Sequence, residues 1–322
     1  MSRHATPEDP VEIALIGFQN PQVVEALSKR FVVHQIYAEA DPLAALDVVG
    51  PRIRGAAGHG MAGLSRAHIE RMPNLEVFAI SGVGLETTDV ATCHQRRITV
   101  TTATVLFDDV ADLAIGLALA VCRQLPKADR YVREGHWERG RMGPGRKLTG
   151  MRVGIVGLGR IGIEVARRLE GFKTEIAYND PVAREVPYRR VAEMQTLASQ
   201  SDIIFLCAAG QPKGVGAPMV GRPVFDALGP DGIFINVARG WLVDEPALID
   251  ALAEGRLGGA GLDVFFDEPH VPAALRAMDN VVLTPHVASS TGATMRAMGD
   301  NVVANLVSWF NGTGAVTPIA AG

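Results

Sequence analysis

From Met151 onward, short runs of β-branched and aliphatic residues alternate with helix-length amphipathic stretches. "RVGIVG", "TEIAY", "DIIFLC", "GIFINVA", "GAGLDVF" and "VVLTP" have strand character, and "IGIEVARRLEGF", "VAEMQTLASQ" and "PALIDALAEG" between them have helix character. Strands this continuously apolar belong to a parallel sheet covered by helices on both faces, where neither face meets water. Upstream the rhythm recurs more weakly, with "VEIALIG", "FVVHQIY", "LEVFAIS" and "ITVTT" as strand candidates and "PQVVEALSKR" and "LSRAHIERM" between them. Gly/Ala-rich "GAAGHGMAG" and Pro/Gly-rich "ERGRMGPGRKLTG" read as loops. Near the C-terminus Met298, Val302, Leu306 and Phe310 recur at four-residue spacing before Gly312. That is a helix which follows the last sheet strand and can return to the first domain. The expected class is α/β, with two doubly wound parallel-sheet domains.

Composition fits two ordinary soluble domains: 322 residues, 48% hydrophobic and 20% charged. A net charge of -4 and a pI near 6.1 give no electrostatic footprint for nucleic acid or a membrane surface, so a small-molecule partner is expected. "VADLAIGLALAVC" carries Asp112 and is shorter than the ~20 residues of a membrane span, which makes it a helix buried in protein. Neither "MSRHATPEDP" nor the short "VEIALIGF" behind it resembles a signal peptide, and a cytoplasmic location is expected. Cys93, Cys122 and Cys207 are odd in number and widely spaced, without C-x-x-C or histidine companions, so no disulfide framework and no metal is expected.

"VGIVGLGRIG" sets Gly157, Gly159 and Gly162 in a G-x-G-x-x-G spacing directly after a strand and directly before a helix. In that context the first glycine makes the tight turn, the second lets a diphosphate approach the backbone, and the third lets helix and strand pack closely. Amides at the helix start then face the phosphate charge. Eighteen residues after Gly162 the next strand ends at Asp180, near the spacing of an acid that accepts hydrogen bonds from an adenosine ribose. Such a carboxylate favours NAD, because it repels the additional phosphate of NADP, although Arg184 is close enough in sequence to soften the effect. A solvated turn aspartate before Pro181 is the other meaning of the same residue.

Three further stretches put polar residues at strand ends: "NVARGWLVDE" with Arg239, "GLDVFFDEP" with Asp263 and Glu268, and "TPHVASS" with His286. Ligands of open α/β sheets bind outside those ends. Arg239 offers a planar fork for a carboxylate, His286 a proton near neutral pH, and Glu268 a carboxylate to orient the ring. Taken singly, each is equally a packed or salt-bridged loop residue.

Together "GLGRIG", "NVARGWLVDEPALIDAL", "GGAGLDVFFDEP" and "VVLTPHVASST" resemble the D-isomer-specific 2-hydroxyacid dehydrogenases. "FDDVADLAIGLALAVCRQL" is similar to the glyoxylate/hydroxypyruvate and hydroxyphenylpyruvate reductase branch, and the likeness covers nearly the whole chain. The resemblance implies a Rossmann-type cofactor domain over about residues 103–291 and a smaller, flavodoxin-like substrate domain over 1–102 plus 292–322. It implies Arg239, Glu268 and His286 as the catalytic set, and Val83 and Gly84, with Arg239, as the substrate-carboxylate site. The implied cofactor contacts are Gly157, Gly159, Arg160, Ile161, Gly162, Asp180, Val237 and Asp263, the last holding the nicotinamide amide. The implied reaction is NAD(P)H-dependent reduction of glyoxylate, hydroxypyruvate or an arylpyruvate to the D-2-hydroxy acid, with NAD(H) preferred and NADP(H) possible. A homodimer through the long helix after Asp109 and an arm bearing Trp137 is also implied.

Two departures qualify the likeness. NADPH-using hydroxyphenylpyruvate reductases of this branch carry Ser-Arg where Asp180-Pro181 stands, and the family's usual Pro-Leu-Thr turn is replaced by "CAAGQPKGVG", which leaves cofactor contacts there unassigned. Other members of the superfamily are NAD(H)-sensing corepressors, formate dehydrogenases or phosphite dehydrogenases. The intact Arg239, Glu268 and His286 count against a pure sensor, and Glu268 counts against the formate lineage, which has Gln beside the histidine.

Overall fold

The structure is a computed structural model describing residues 10–209 and 213–319; residues 1–9 and Gly210, Gln211 and Pro212 of the divergent loop lie outside the described residues. The chain forms two compact units, one running to Leu106 and resuming at Thr291, the other spanning Phe107–Ser290. The expected divisions stood after 102 and before 292. The segment just past 102 stays with the first sheet, where the Ala103 amide donates to the Gly82 carbonyl.

The first unit has strands β1 (Glu12–Leu15), β2 (Val32–His34), β3 (Ile53–His59), β4 (Val77–Ser81) and β5 (Thr99–Thr102). They are parallel in the order β2-β1-β3-β4-β5, so the winding reverses between β1 and β3. β3 corrects the sequence reading, which placed "GAAGHGMAG" in a loop: its first residues, Gly55 to His59 of "IRGAAGH", belong to the central strand. Glycine and alanine have poor strand propensity, but here packing overrides it. A Cβ on Gly55 would lie 3.0 Å from both Ile13 and the Phe310 ring, so the residue is small because neighbours press on the backbone. The helix Gly292–Phe310 does return to this unit, burying Val302 and Leu306 against Ile13, Leu15, Val77 and Ala79.

The second unit has β6 (Arg152–Val156), β7 (Glu175–Asn179), β8 (Arg189–Arg190), β9 (Ile203–Leu206), β10 (Ile233–Asn236), β11 (Gly259–Leu262) and β12 (Val281–Leu283). They are parallel in the order β12-β11-β10-β9-β6-β7-β8, and the winding reverses between β6 and β9. Both units are therefore doubly wound, with a crevice at the carboxyl ends of the strands where the order reverses. Ile203 to Leu206 and Ile233 to Asn236 are buried along their whole length, the two-sided burial that the apolar runs predict. The helix Phe107–Cys122 lies over this sheet and is tied to the helix Arg160–Glu170 by Arg168, which bonds Asp108 at 2.8 Å and Asp112 at 2.5 Å. Among the described residues no helix is long and apolar enough to cross a membrane.

Candidate active site

The turn after β6 shows why three glycines are needed at this spacing. Gly157 sits at φ +87°, and a Cβ there would lie 2.4 Å from the Ala208 backbone; one on Gly162 would lie 2.2 Å from the Gly157 carbonyl oxygen. Gly159 differs: among the described residues nothing lies within 4 Å of its Cβ position, so its lack of a side chain keeps open the space in front of the backbone. Gly159 caps the eleven-residue helix Arg160–Glu170, whose first turn includes Ile161 and Gly162 and presents amides without intrahelical partners to that space. The exposed Arg160 guanidinium stacks over Phe107 at 5.3 Å. A diphosphate fits an open backbone cradle with a helix start behind it and a cation at its rim.

Asp180 follows β7 and is 8% exposed. Its Oδ2 accepts the Leu158 amide at 2.9 Å, which ties the acid to the glycine turn, and its Oδ1 accepts the Val182 amide at 2.9 Å. The Arg184 guanidinium stands 3.6 Å from Oδ1, and Arg190 donates to the Asp180 and Pro181 carbonyls. Val237, after β10, is buried and bonds through its amide to Leu206, on the strand beside the reversal.

Arg239, Glu268 and His286 follow β10, β11 and β12, which are neighbours in the sheet, so three loops converge at one edge. His286 Nδ1 and Glu268 Oε2 are 2.7 Å apart, and Glu268 Oε1 accepts the Phe265 amide at 3.0 Å. Burial opposes ionisation of Glu268, but the hydrogen bond from His286, the Phe265 amide and the charges of His286 and Arg239 outweigh it and hold its pKa below the usual value. Glu268 is thus an anion throughout the neutral range. With Nδ1 turned to that anion, Nε2 is the ring nitrogen left to act, and among the described residues it bonds to no protein group. Arg239 is presented by a turn in which buried Asn236 accepts the Ala238 amide and donates to the Arg239 carbonyl. The next residue must be glycine, since a Cβ on Gly240 would lie 1.9 Å from the Phe265 backbone carbon. That contact packs the Arg239 turn onto the loop leading to Glu268.

Asp263 was expected at the nicotinamide; the structure also gives it another task. It is 1% exposed, its Oδ1 accepts the Thr284 hydroxyl and the Val287 amide, its Oδ2 accepts the Ala288 amide, and its backbone carbonyl accepts the His286 amide. Burial raises its pKa and these bonds oppose the rise. Together they hold His286 at φ 52°, a left-handed conformation that costs a non-glycine residue about 1–3 kcal/mol. The clues to this anchoring were the spacing from Asp263 to Thr284 and the short loop beyond it, neither of which stands out in a sequence.

Val83 and Gly84 lie in the first unit, after β4. Among the described residues their amides donate to no backbone or side-chain acceptor, leaving two adjacent donors available to an anion.

A dinucleotide cradle and an Arg, Glu and His set on adjacent strand ends define a nicotinamide-dependent oxidoreductase of the doubly wound class. The family profile "D-isomer specific 2-hydroxyacid dehydrogenase, NAD binding domain" matches residues 115–288, and the chain belongs to that family. It is 44% identical over 300 residues to a hydroxyphenylpyruvate reductase of Plectranthus scutellarioides, covering 92% of this chain and 94% of that one. Among solved structures it is similar to a 2-hydroxyacid dehydrogenase from Ketogulonicigenium vulgare Y25, with TM-score 0.90, 42% identity and coverage of 97% and 98% of the two chains. It is also similar to the NADPH-dependent glyoxylate/hydroxypyruvate reductase of Sinorhizobium meliloti in complex with NADP and malonate, with TM-score 0.88, 38% identity and 97% of each chain covered.

Proposed function

We propose that this protein reduces a small 2-keto acid, of the glyoxylate, hydroxypyruvate or arylpyruvate type, to the D-2-hydroxy acid, with NADH preferred. The observation that carries the reading is the 2.7 Å His286–Glu268 pair on the strand ends beside Arg239. Names of relatives support it, since they are reductases of such acids. Gly157, Gly159, Arg160, Ile161 and Gly162 hold the dinucleotide phosphates, Asp180 the adenosine ribose, and Val237 and Asp263 the nicotinamide end. When bound, the reduced nicotinamide supplies the hydride that the carbonyl carbon accepts. Arg239 orients the substrate carboxylate and polarises the carbonyl, with the Val83 and Gly84 amides as further carboxylate donors. His286 delivers a proton from Nε2 to the carbonyl oxygen, while ionised Glu268 holds the ring and stabilises the imidazolium. Steady-state NADH oxidation with glyoxylate, hydroxypyruvate and hydroxyphenylpyruvate tests this; turnover with at least one, giving the D-isomer where the product is chiral, is expected, and none with any would refute it.

The cofactor preference rests on Asp180, whose carboxylate suits ribose hydroxyls and repels a 2'-phosphate carrying roughly -1.5 to -2 charges. Asp180→Ser removes that repulsion and releases Arg184 from its 3.6 Å partner. The ratio of kcat/KM with NADPH to that with NADH is then expected to rise about tenfold or more. A parent enzyme that favours NADPH would contradict the assignment.

We also infer a homodimer. The helix Leu125–Arg133 buries none of its residues, and Leu125, Val132 and Trp137 are 50%, 55% and 67% exposed along this arm. A second copy of the chain, packed arm to arm, covers these side chains. Light scattering is expected to give twice the 34.2 kDa of one chain, and Val132→Glu with Trp137→Glu is expected to shift it toward one. A parent mass of one chain at micromolar concentration would remove the dimer.

A further inference from the structure

The first unit has its own reversal of strand order, between β1 and β3, and such crevices are where ligands of doubly wound sheets bind. His59 is the last residue of β3 and stands at that crevice. It opens a tight turn closed by paired backbone bonds between His59 and Ala62. A Cβ on Gly17, just after β1, would lie 2.7 Å from the His59 ring, so the imidazole fills the room that a glycine leaves. The turn faces the Val83–Gly84 loop: a Cβ on Gly60 would lie 3.6 Å from the Gly84 Cα, and the Thr87 hydroxyl donates to the Gly60 carbonyl. The turn that carries the ring therefore adjoins the loop of the Val83 and Gly84 amides, while the ring itself packs at Gly17; Phe18, next to Gly17, and Met61, two residues after His59, are each 61% exposed.

The ring's hydrogen bonding fixes what it can offer. Nδ1 accepts the Met61 amide at 3.3 Å, so in the neutral imidazole the proton sits on Nε2. Burial lowers the His59 pKa, which keeps the ring neutral at neutral pH. Among the described residues Nε2 donates to no protein acceptor. A neutral N–H donor, carrying no charge, suits a hydroxyl rather than a carboxylate.

We propose that His59 is a specificity-determining residue that donates from Nε2 to a hydroxyl on the substrate carbon next to the keto group, favouring 3-hydroxy-2-keto acids over their deoxy counterparts. This rests on the reductase reading and on Val83 and Gly84 receiving the substrate carboxylate. Hydroxypyruvate and pyruvate differ by that one hydroxyl, so the ratio of their kcat/KM values isolates the contact. A site built to bond a substrate hydroxyl discriminates strongly against the analogue lacking it.

The test measures that ratio in the parent, in His59→Leu and in His59→Asn. Asparagine keeps an oxygen near the Nδ1 position to accept the Met61 amide but has no group at the Nε2 position, so it preserves the turn while deleting the donor. The ratio is expected to favour hydroxypyruvate in the parent and to fall by about tenfold or more in both variants. A ratio within about twofold of the parent's in His59→Asn, with pyruvate still reduced, would show that His59 only shapes the turn. A parent that reduces no 2-keto acid with NADH or NADPH would overturn the reductase reading itself, and this inference with it.

Discussion

Replacing His286 with alanine is expected to lower the reductive kcat by roughly 100- to 10,000-fold, the range of a positioned general acid. The geometry leaves the ring one nitrogen, Nε2, that bonds to no protein group among the described residues. Nδ1 is bound to Glu268 at 2.7 Å, the backbone is held at φ 52°, and the loop is pinned by three hydrogen bonds to the Asp263 carboxylate. So elaborate a support for an exposed side chain has a purpose only if the orientation of Nε2 matters. The glycine turn after β6 is built from other residues, so NADH affinity, followed by fluorescence titration, should change by less than about threefold. A variant that keeps a tenth of the parent rate would show that another group or solvent supplies the proton.

Arg239→Lys should have the next largest effect. Lysine keeps the charge but loses the planar fork, and with it one of two parallel bonds to a carboxylate. A hydrogen bond to a charged group is worth about 1.5–3 kcal/mol, so kcat/KM is expected to fall roughly 10- to 150-fold. Because the Arg239 charge also contributes to holding Glu268 ionised, a neutral replacement such as Arg239→Met should cost more than lysine does. Near-normal kcat/KM in Arg239→Lys would assign the arginine to the packing of its loop.

The strand rhythm of the second unit was legible because its strands are buried on both faces and written in Ile, Val and Phe. The glycine motif was legible for a related reason: Gly157 and Gly162 fill positions where any Cβ collides with backbone. β3 was not, because "IRGAAGH" is a strand by virtue of its neighbours, Ile13, Phe310 and Leu306, residues distant in sequence. Glu268 and His286 could be nominated by type and order, but the 2.7 Å contact depends on the β11 and β12 loops lying side by side. Asp263 shows the opposite difficulty. A buried acid at a strand end looks like a ligand-binding group, and only the structure reveals that its oxygens also anchor the loop carrying the histidine.

The coupling of Glu268 to His286 is the centre of this account, and the pH dependence of reduction tests it most directly. Keto-acid reduction takes a proton from the His286 ring, which Glu268 holds at 2.7 Å. Glu268 is held ionised through the neutral range, because the hydrogen bond from His286, the Phe265 amide and the charges of His286 and Arg239 outweigh its burial. Glu268→Gln removes the charge but keeps a hydrogen-bonding side chain, so reductive kcat/KM should fall and its pH profile should change, with NADH binding unaltered. Profiles of both proteins measured with one good substrate decide it: a lowered profile of altered shape in Glu268→Gln is the predicted result, and coincident profiles would contradict the coupling.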